Sequence, residues 1–110
     1  MSKRDNSALI QDMLESAMKI IKYAEGLSFD QFEADDKTVD AVIRNFEIIG
    51  EAANRIESDF KILNPQIEWT KMRGFRNRIV HDYFGIDLEI VWSIIQDDIG
   101  ELVYQLEQLS

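Results

Sequence analysis

Between residues 39 and 63 the chain repeats one pattern: Val39, Val42/Ile43, Phe46, Ile49/Gly50, Ala53, Ile56, Phe60 and Leu63 recur at three- and four-residue steps. Such spacing lines apolar side chains along one stripe of an α-helix. The only proline, Pro65, follows it. The pattern predicts a helix from near Thr38 to Leu63, ~25 residues and close to 40 Å long. Gly50, Ala52 and Ala53 leave a bare patch on it, where another helix can approach closely.

Three further segments carry the same period. Ile10, Leu14, Ala17, Ile20/Ile21 and Ala24 mark a helix from about Ser7 to Ala24. Asp5, Asn6 and Ser7 offer N-cap side chains, and Gly26 offers a stop. A polar connection, "GLSFDQFEADDKT", follows with Leu27, Phe29 and Phe32 as apolar anchors on a short helical turn. A third helix is entered around Glu68–Trp69 and ends by Gly85. From Phe75 to Ile79 its apolar register is only partly legible, because cations share its faces. Asp87 is placed to cap the last helix, with Glu89 in the electropositive first turn. Its stripe is Leu88, Val91/Trp92, Ile95, Ile99, Leu102/Val103 and Leu106. No segment reads as a strand. The expectation is an all-α bundle of four to five helices.

With 110 residues, the chain is expected to form one domain, 1–110, with a core large enough to need no metal or disulfide. It has no cysteine, so thiolate metal sites are excluded. No apolar run has the length of a membrane span, and the N-terminus lacks the apolar stretch of a signal peptide. No membrane association is expected, and the location expected is the cytoplasm.

The charge is unevenly placed. The formal net charge is −9, yet Lys71, Arg73, Arg76 and Arg78 are four of the 12 cations. No acid lies between Lys71 and His81, the only histidine, and residues 79–110 contain no Lys or Arg. The overall charge argues against a surface coated with nucleic acid. It leaves room for a local anion site.

Arginine offers a planar fork of donors to a phosphate and keeps its charge. Histidine exchanges a proton near neutral pH. Asn77 is four residues before His81, so on a continuous helix the two share a face, and Asn77 can orient the imidazole or bond a substrate oxygen. These groups suit cleavage of RNA without metal. A histidine takes the proton of a ribose 2′-hydroxyl, or gives one to the leaving oxygen, while an arginine stabilises charge on the phosphoryl oxygens. Arg76 and His81 are five residues apart, ~140° on an ideal helix. A second chain in a symmetric dimer can bring another Arg–His pair to the same cleft. Taken singly, these residues also fit plainer roles: a histidine near a helix C-terminus, cations paired with acids of neighbouring helices, and Tyr83 as a half-buried packing residue.

The stretch "RNRIVHDY" resembles the motif of the HEPN superfamily, specifically the HepT-like ribonuclease toxins. Arg76, Asn77, His81 and Tyr83 match that motif in order and spacing. "RNFEIIGEAA" at 44–53, "NPQIEW" at 64–69 and "VW" at 91–92 match supporting features, so the resemblance covers most of the chain. It implies a dimerising all-α bundle whose Arg–His motifs meet at a shared cleft. It implies a metal-independent endoribonuclease without cofactor, with Arg76 and His81 catalytic and Asn77 assisting. Lys71, Arg73 and Arg78 are then expected to contact RNA, on a small footprint given the net charge. It also implies a toxin–antitoxin pair, in which a minimal nucleotidyltransferase silences the toxin by transferring AMP to Tyr83. The alternative is a non-catalytic nucleotide- or substrate-binding subunit of a nucleotidyltransferase complex. A blander third reading is a helical oligomerisation partner.

Overall fold

In the computed structural model, residues 5–79 and 85–109 are described, with the side chain of Arg76 outside the described set. Among these residues every regular element is helical: α1 (Asn6–Ala24), α2 (Phe29–Glu33), α3 (Asp36–Arg55), α4 (Ser58–Leu63), α5 (Trp69–Arg73), α6 (Phe75–Ile79), α7 (Leu88–Asp97) and α8 (Ile99–Glu107). The all-α class expected from the stripes is the class observed, and it fits the HEPN-like bundle that the resemblance implies. No described helix is long and apolar enough to cross a membrane.

Local chemistry sets most of the boundaries. Asp5 caps α1 by accepting from the Ala8 N–H at 2.8 Å. The helix ends where Gly26 takes φ +78°, a left-handed conformation that other residues adopt at a cost. The expected short turn is α2. Ser28 and Gln31 form a reciprocal capping box there, at 3.2 and 2.9 Å. Asp35 caps α3 through the Thr38 N–H and hydroxyl. Those two bonds hold the Asp35 carboxyl below its usual pKa. Asp87 caps α7 as expected, accepting from Glu89 and Ile90.

Three expected helices are interrupted. The long helix stops at Arg55, where Ile56 turns extended (ψ 134°) and α4 restarts at Ser58. Ile56 stays buried, and the Glu57 N–H freed by the break donates to Asn6 Oδ1 of α1 at 3.3 Å. The apolar stripe runs across the break and so conceals it. Leu63, expected on that stripe, is instead 78% exposed. The third helix is divided at Gly74 and the fourth at Asp98, but the backbone ladder continues through both. The Gly74 N–H donates to the Thr70 carbonyl and the Gly74 carbonyl accepts from the Arg78 N–H; the Asp98 N–H and carbonyl do the same with Ile94 and Leu102.

α1 packs along α3, and α8 returns against α1. The buried apolar residues form one connected cluster. Its aromatic links run from Phe46 of α3 to Phe75 of α6, at 5.3 Å between ring centroids, and from Phe32 of α2 to Trp92 of α7, at 5.2 Å. The expected bare patch on α3 is where α5 crosses. A Cβ on Gly50 would meet the Met72 carbonyl at 3.4 Å.

Candidate functional site on helices α5 and α6

The "NPQIEW" turn fixes how α5 begins. Asn64 donates to the Phe60 carbonyl at 2.9 Å, and the Asn64 carbonyl accepts from the Trp69 indole N–H at 3.0 Å. Phe60 stacks edge-on against Trp69. The buried indole thus has its partner, and the start of α5 is tied to the end of α4.

From there the segment 69–79 sorts its side chains onto three faces. Met72, Phe75 and Ile79, at steps of three and four, are buried in the core. This is the register the sequence left partly illegible. Arg73 and Asn77, four apart, are exposed and line one open groove of about 650 Å³. α3 forms the opposite wall with Glu47, Gly50, Glu51 and Asn54. Among the described residues Arg73 makes no ion pair.

The third face carries Lys71 and Arg78. Both reach Asp98, at the α7–α8 junction. Lys71 Nζ lies 2.9 Å from Oδ1 and Arg78 Nη1 lies 3.3 Å from Oδ2. Glu68 is a weaker neighbour of Lys71 at 3.7 Å. The hydrogen bond to Asp98 is the main cause that raises the Lys71 pKa, with the charges of Asp98 and Glu68 adding to it. A raised lysine pKa contributes stability that is complete below the unfolded value. That contribution is lost only as the pH rises through the folded one, so it is present across the neutral range.

The expected cationic island is therefore split. Arg73 stands at the groove, whereas Lys71 and Arg78 face an acid on a neighbouring helix. The backbone of Arg76 belongs to α6; its side chain, His81 and Tyr83 lie outside the described residues. The Asp87 N–H, just before α7, donates to the Ile79 carbonyl at the end of α6 at 2.8 Å. Gly85, expected to end the third helix, has φ +85°.

Two contributors escaped the sequence reading. Lys61 of α4 has its pKa lowered, first by burial and then by the nearby Arg73 charge. It brings a second cation close to Arg73. Its distance in sequence from the island hid it. Asp98 had a partial signal, because with no cation after residue 78 an acid on the last helices must look back for a partner. No group of histidine, aspartate or glutamate side chains among the described residues is arranged to hold a metal ion.

These features define an all-α, HEPN-like helical protein with an open groove lined by Arg73 and Asn77. The family model described as "Ribonuclease HepT-like" matches residues 13–109, and the chain belongs to that family. It is 38% identical to "Probable ribonuclease HepT" of Thermococcus cleftensis over 97% of each chain. It is 39% identical to "Putative RNase MJ1380" of Methanocaldococcus jannaschii, over 97% of this chain and 98% of that one. "Putative RNase MJ0127" of the same organism is 38% identical over 99% of this chain and 90% of its own. No solved structure matches the chain.

Proposed function

We propose that this protein is an endoribonuclease that cuts RNA without a metal ion, and that it acts as the toxin of a toxin–antitoxin pair. One observation carries the reading: the order Arg76, Asn77, His81, Tyr83 stands intact within a chain matched over 13–109 by a ribonuclease family model. The groove supports it, since Arg73, which makes no ion pair among the described residues, lines it beside Asn77 of α6.

In this reading the ribose 2′-oxygen attacks the adjacent phosphorus and the bond to the 5′-oxygen breaks. His81 exchanges the proton, at the 2′-hydroxyl or at the leaving 5′-oxygen. The products are a 2′,3′-cyclic phosphate and a free 5′-hydroxyl. Arg76 stabilises the charge building on the phosphoryl oxygens, and Asn77 orients the imidazole or the substrate. The nucleophile is internal to the substrate, so neither cysteine nor metal is required. The protein works as a symmetric dimer with both motif segments in one cleft. A partner nucleotidyltransferase silences it by placing AMP on Tyr83, where the added phosphate would occupy the anion site and repel RNA.

Purified, unmodified protein is incubated with RNA in EDTA beside its His81→Ala and Arg76→Ala variants. Loss of general acid–base catalysis costs roughly 10²–10⁴ in rate, and both variants are expected to fall on that scale with unchanged helicity. A 2′-deoxy substitution at the scissile position blocks cleavage. Cutting that survives in a folded His81→Ala variant would overturn the assignment and favour a non-catalytic binding subunit.

A further inference from the structure

Asp98 sits where an N-cap residue of α8 belongs, yet its side chain makes no capping bond there. An aspartate in that position ordinarily accepts from the second or third amide of its helix. Here both carboxylate oxygens are turned away, Oδ1 to Lys71 of α5 and Oδ2 to Arg78 of α6. The side chain of Asp98 is only 18% exposed, so the pair is better shielded than the exposed Arg55–Glu51 bridge on α3. The two cations flank Gly74, which divides α5 from α6. A single carboxylate thus spans the interruption in the segment that carries Arg76 and Asn77.

We propose that Asp98 is a positioning residue that clamps both halves of the motif helix to the α7–α8 junction and, in doing so, withholds Lys71 and Arg78 from RNA. The clamp follows from the two contacts. The withholding rests on the reading of RNA as substrate, and it narrows that reading. The RNA backbone is met on the Arg73–Asn77 face, while the cations on the Asp98 face already share a carboxylate. A small footprint then follows from the pairing of the cations as well as from their number.

Two variants separate the halves of the proposal. Asp98→Asn keeps the shape and removes the charge. Lys71→Gln/Arg78→Gln removes the cations and leaves Asp98. Binding is read with a 2′-O-methyl RNA oligonucleotide, which cannot be cut by a 2′-hydroxyl mechanism, across a salt series. Each cation that neutralises a phosphate contributes ~0.7 to the slope of log K against log salt for a single strand. Asp98→Asn frees Arg78 and leaves Lys71 with only the more distant Glu68, so its slope is expected to steepen by ~0.7 to ~1.4 and its affinity at low salt to rise. The double variant is expected to keep the wild-type slope. A slope that drops by ~1.4 in the double variant would mean that Lys71 and Arg78 hold phosphates already, and would overturn the withholding. An unchanged slope in Asp98→Asn overturns it too.

The clamp is read by amide hydrogen exchange, which needs no RNA. Exchange is expected to quicken across residues 74–79 in both variants while α1 and α3 stay protected. Unchanged protection at 74–79 overturns the clamp. In turnover, a displacement of ~1 Å at the motif costs up to about 10²-fold in kcat. Asp98→Asn is expected to lose kcat while KM falls, a combination that simple loss of folded enzyme does not produce. Asp98→Glu is expected to restore part of kcat and the wild-type salt slope, and it stands in should Asp98→Asn fail to fold. Should wild-type protein cut no RNA, the proposed function falls, and hydrogen exchange still decides the clamp.

Discussion

A single side chain in this protein often serves a task that its sequence position does not announce. Tyr83 follows His81 by two residues and has a hydroxyl competent to accept a nucleotidyl group. If AMP is placed there, Tyr83→Phe removes the acceptor oxygen and little else. The expected outcome is a variant that folds, cuts RNA, and gains no AMP mass when incubated with the partner nucleotidyltransferase and ATP. Continued AMP addition on the Phe variant, read by intact mass, moves the acceptor elsewhere. The motif residues stand out in the sequence because their types and spacing are unusual in so acidic a chain, and their roles belong to the proposed function. The pairing of Lys71 and Arg78 was legible only as a general possibility. A run of cations looks the same in sequence whether it faces solvent, substrate or a carboxylate 20 residues away, as Arg78 and Asp98 are.

At the scale of elements, the apolar stripes gave the helical class and most of the core, because burial follows a period that the sequence displays directly. The interruptions were hidden for the same reason. At Gly74 and Asp98 the i-to-i−4 ladder persists, so the stripe continues in phase through a turn that is no longer regular. At Ile56 the apolar residue remains inward although the backbone has turned extended. The Glu57 N–H that the break frees finds its partner in Asn6, fifty-one residues earlier, which no local pattern encodes. The crossing of α3 and α5 allows a quantitative test. A glycine inside a helix costs roughly 0.5–1 kcal/mol relative to alanine. The added Cβ of Gly50→Ala would sit 3.4 Å from the Met72 carbonyl, an ordinary contact. Gly50→Ala is therefore expected to raise stability by up to about 1 kcal/mol in urea unfolding. Gly50→Leu is expected to lower it, because the side chain must push α5 away. A destabilised alanine variant would mean that the two helices approach more tightly than this geometry gives.

At the scale of the whole molecule, the same residues pose a problem that one chain does not solve by helix geometry. Arg76 and His81 are five apart, ~140° if one ideal helix carried both, while the proposed reaction needs both at one phosphate. A two-fold axis beside the motif segment removes the difficulty, because it brings a second arginine and a second histidine to the same cleft. The surface leaves room for such an association. Ile62 and Leu63 are 73% and 78% exposed on α4, directly after Lys61, which lies near Arg73. Ile86, 42% exposed, lies just before α7. A standard interface takes ~800 Å² from each partner, a small share of the 7067 Å² accessible here. Light scattering at micromolar concentration is expected to give twice the 12.8 kDa chain mass, and a monomer would count against the shared cleft. Mixing inactive variants tests the cleft more sharply. When Arg76→Ala and His81→Ala chains are unfolded together and refolded, about half of the dimers are mixed. Each mixed dimer holds one intact arginine and one intact histidine on opposite chains. If the pair works across the axis, activity returns in the mixture and in neither parent. If arginine and histidine must come from the same chain, the mixture stays as inactive as its components, and a single motif segment must bring both to one phosphate.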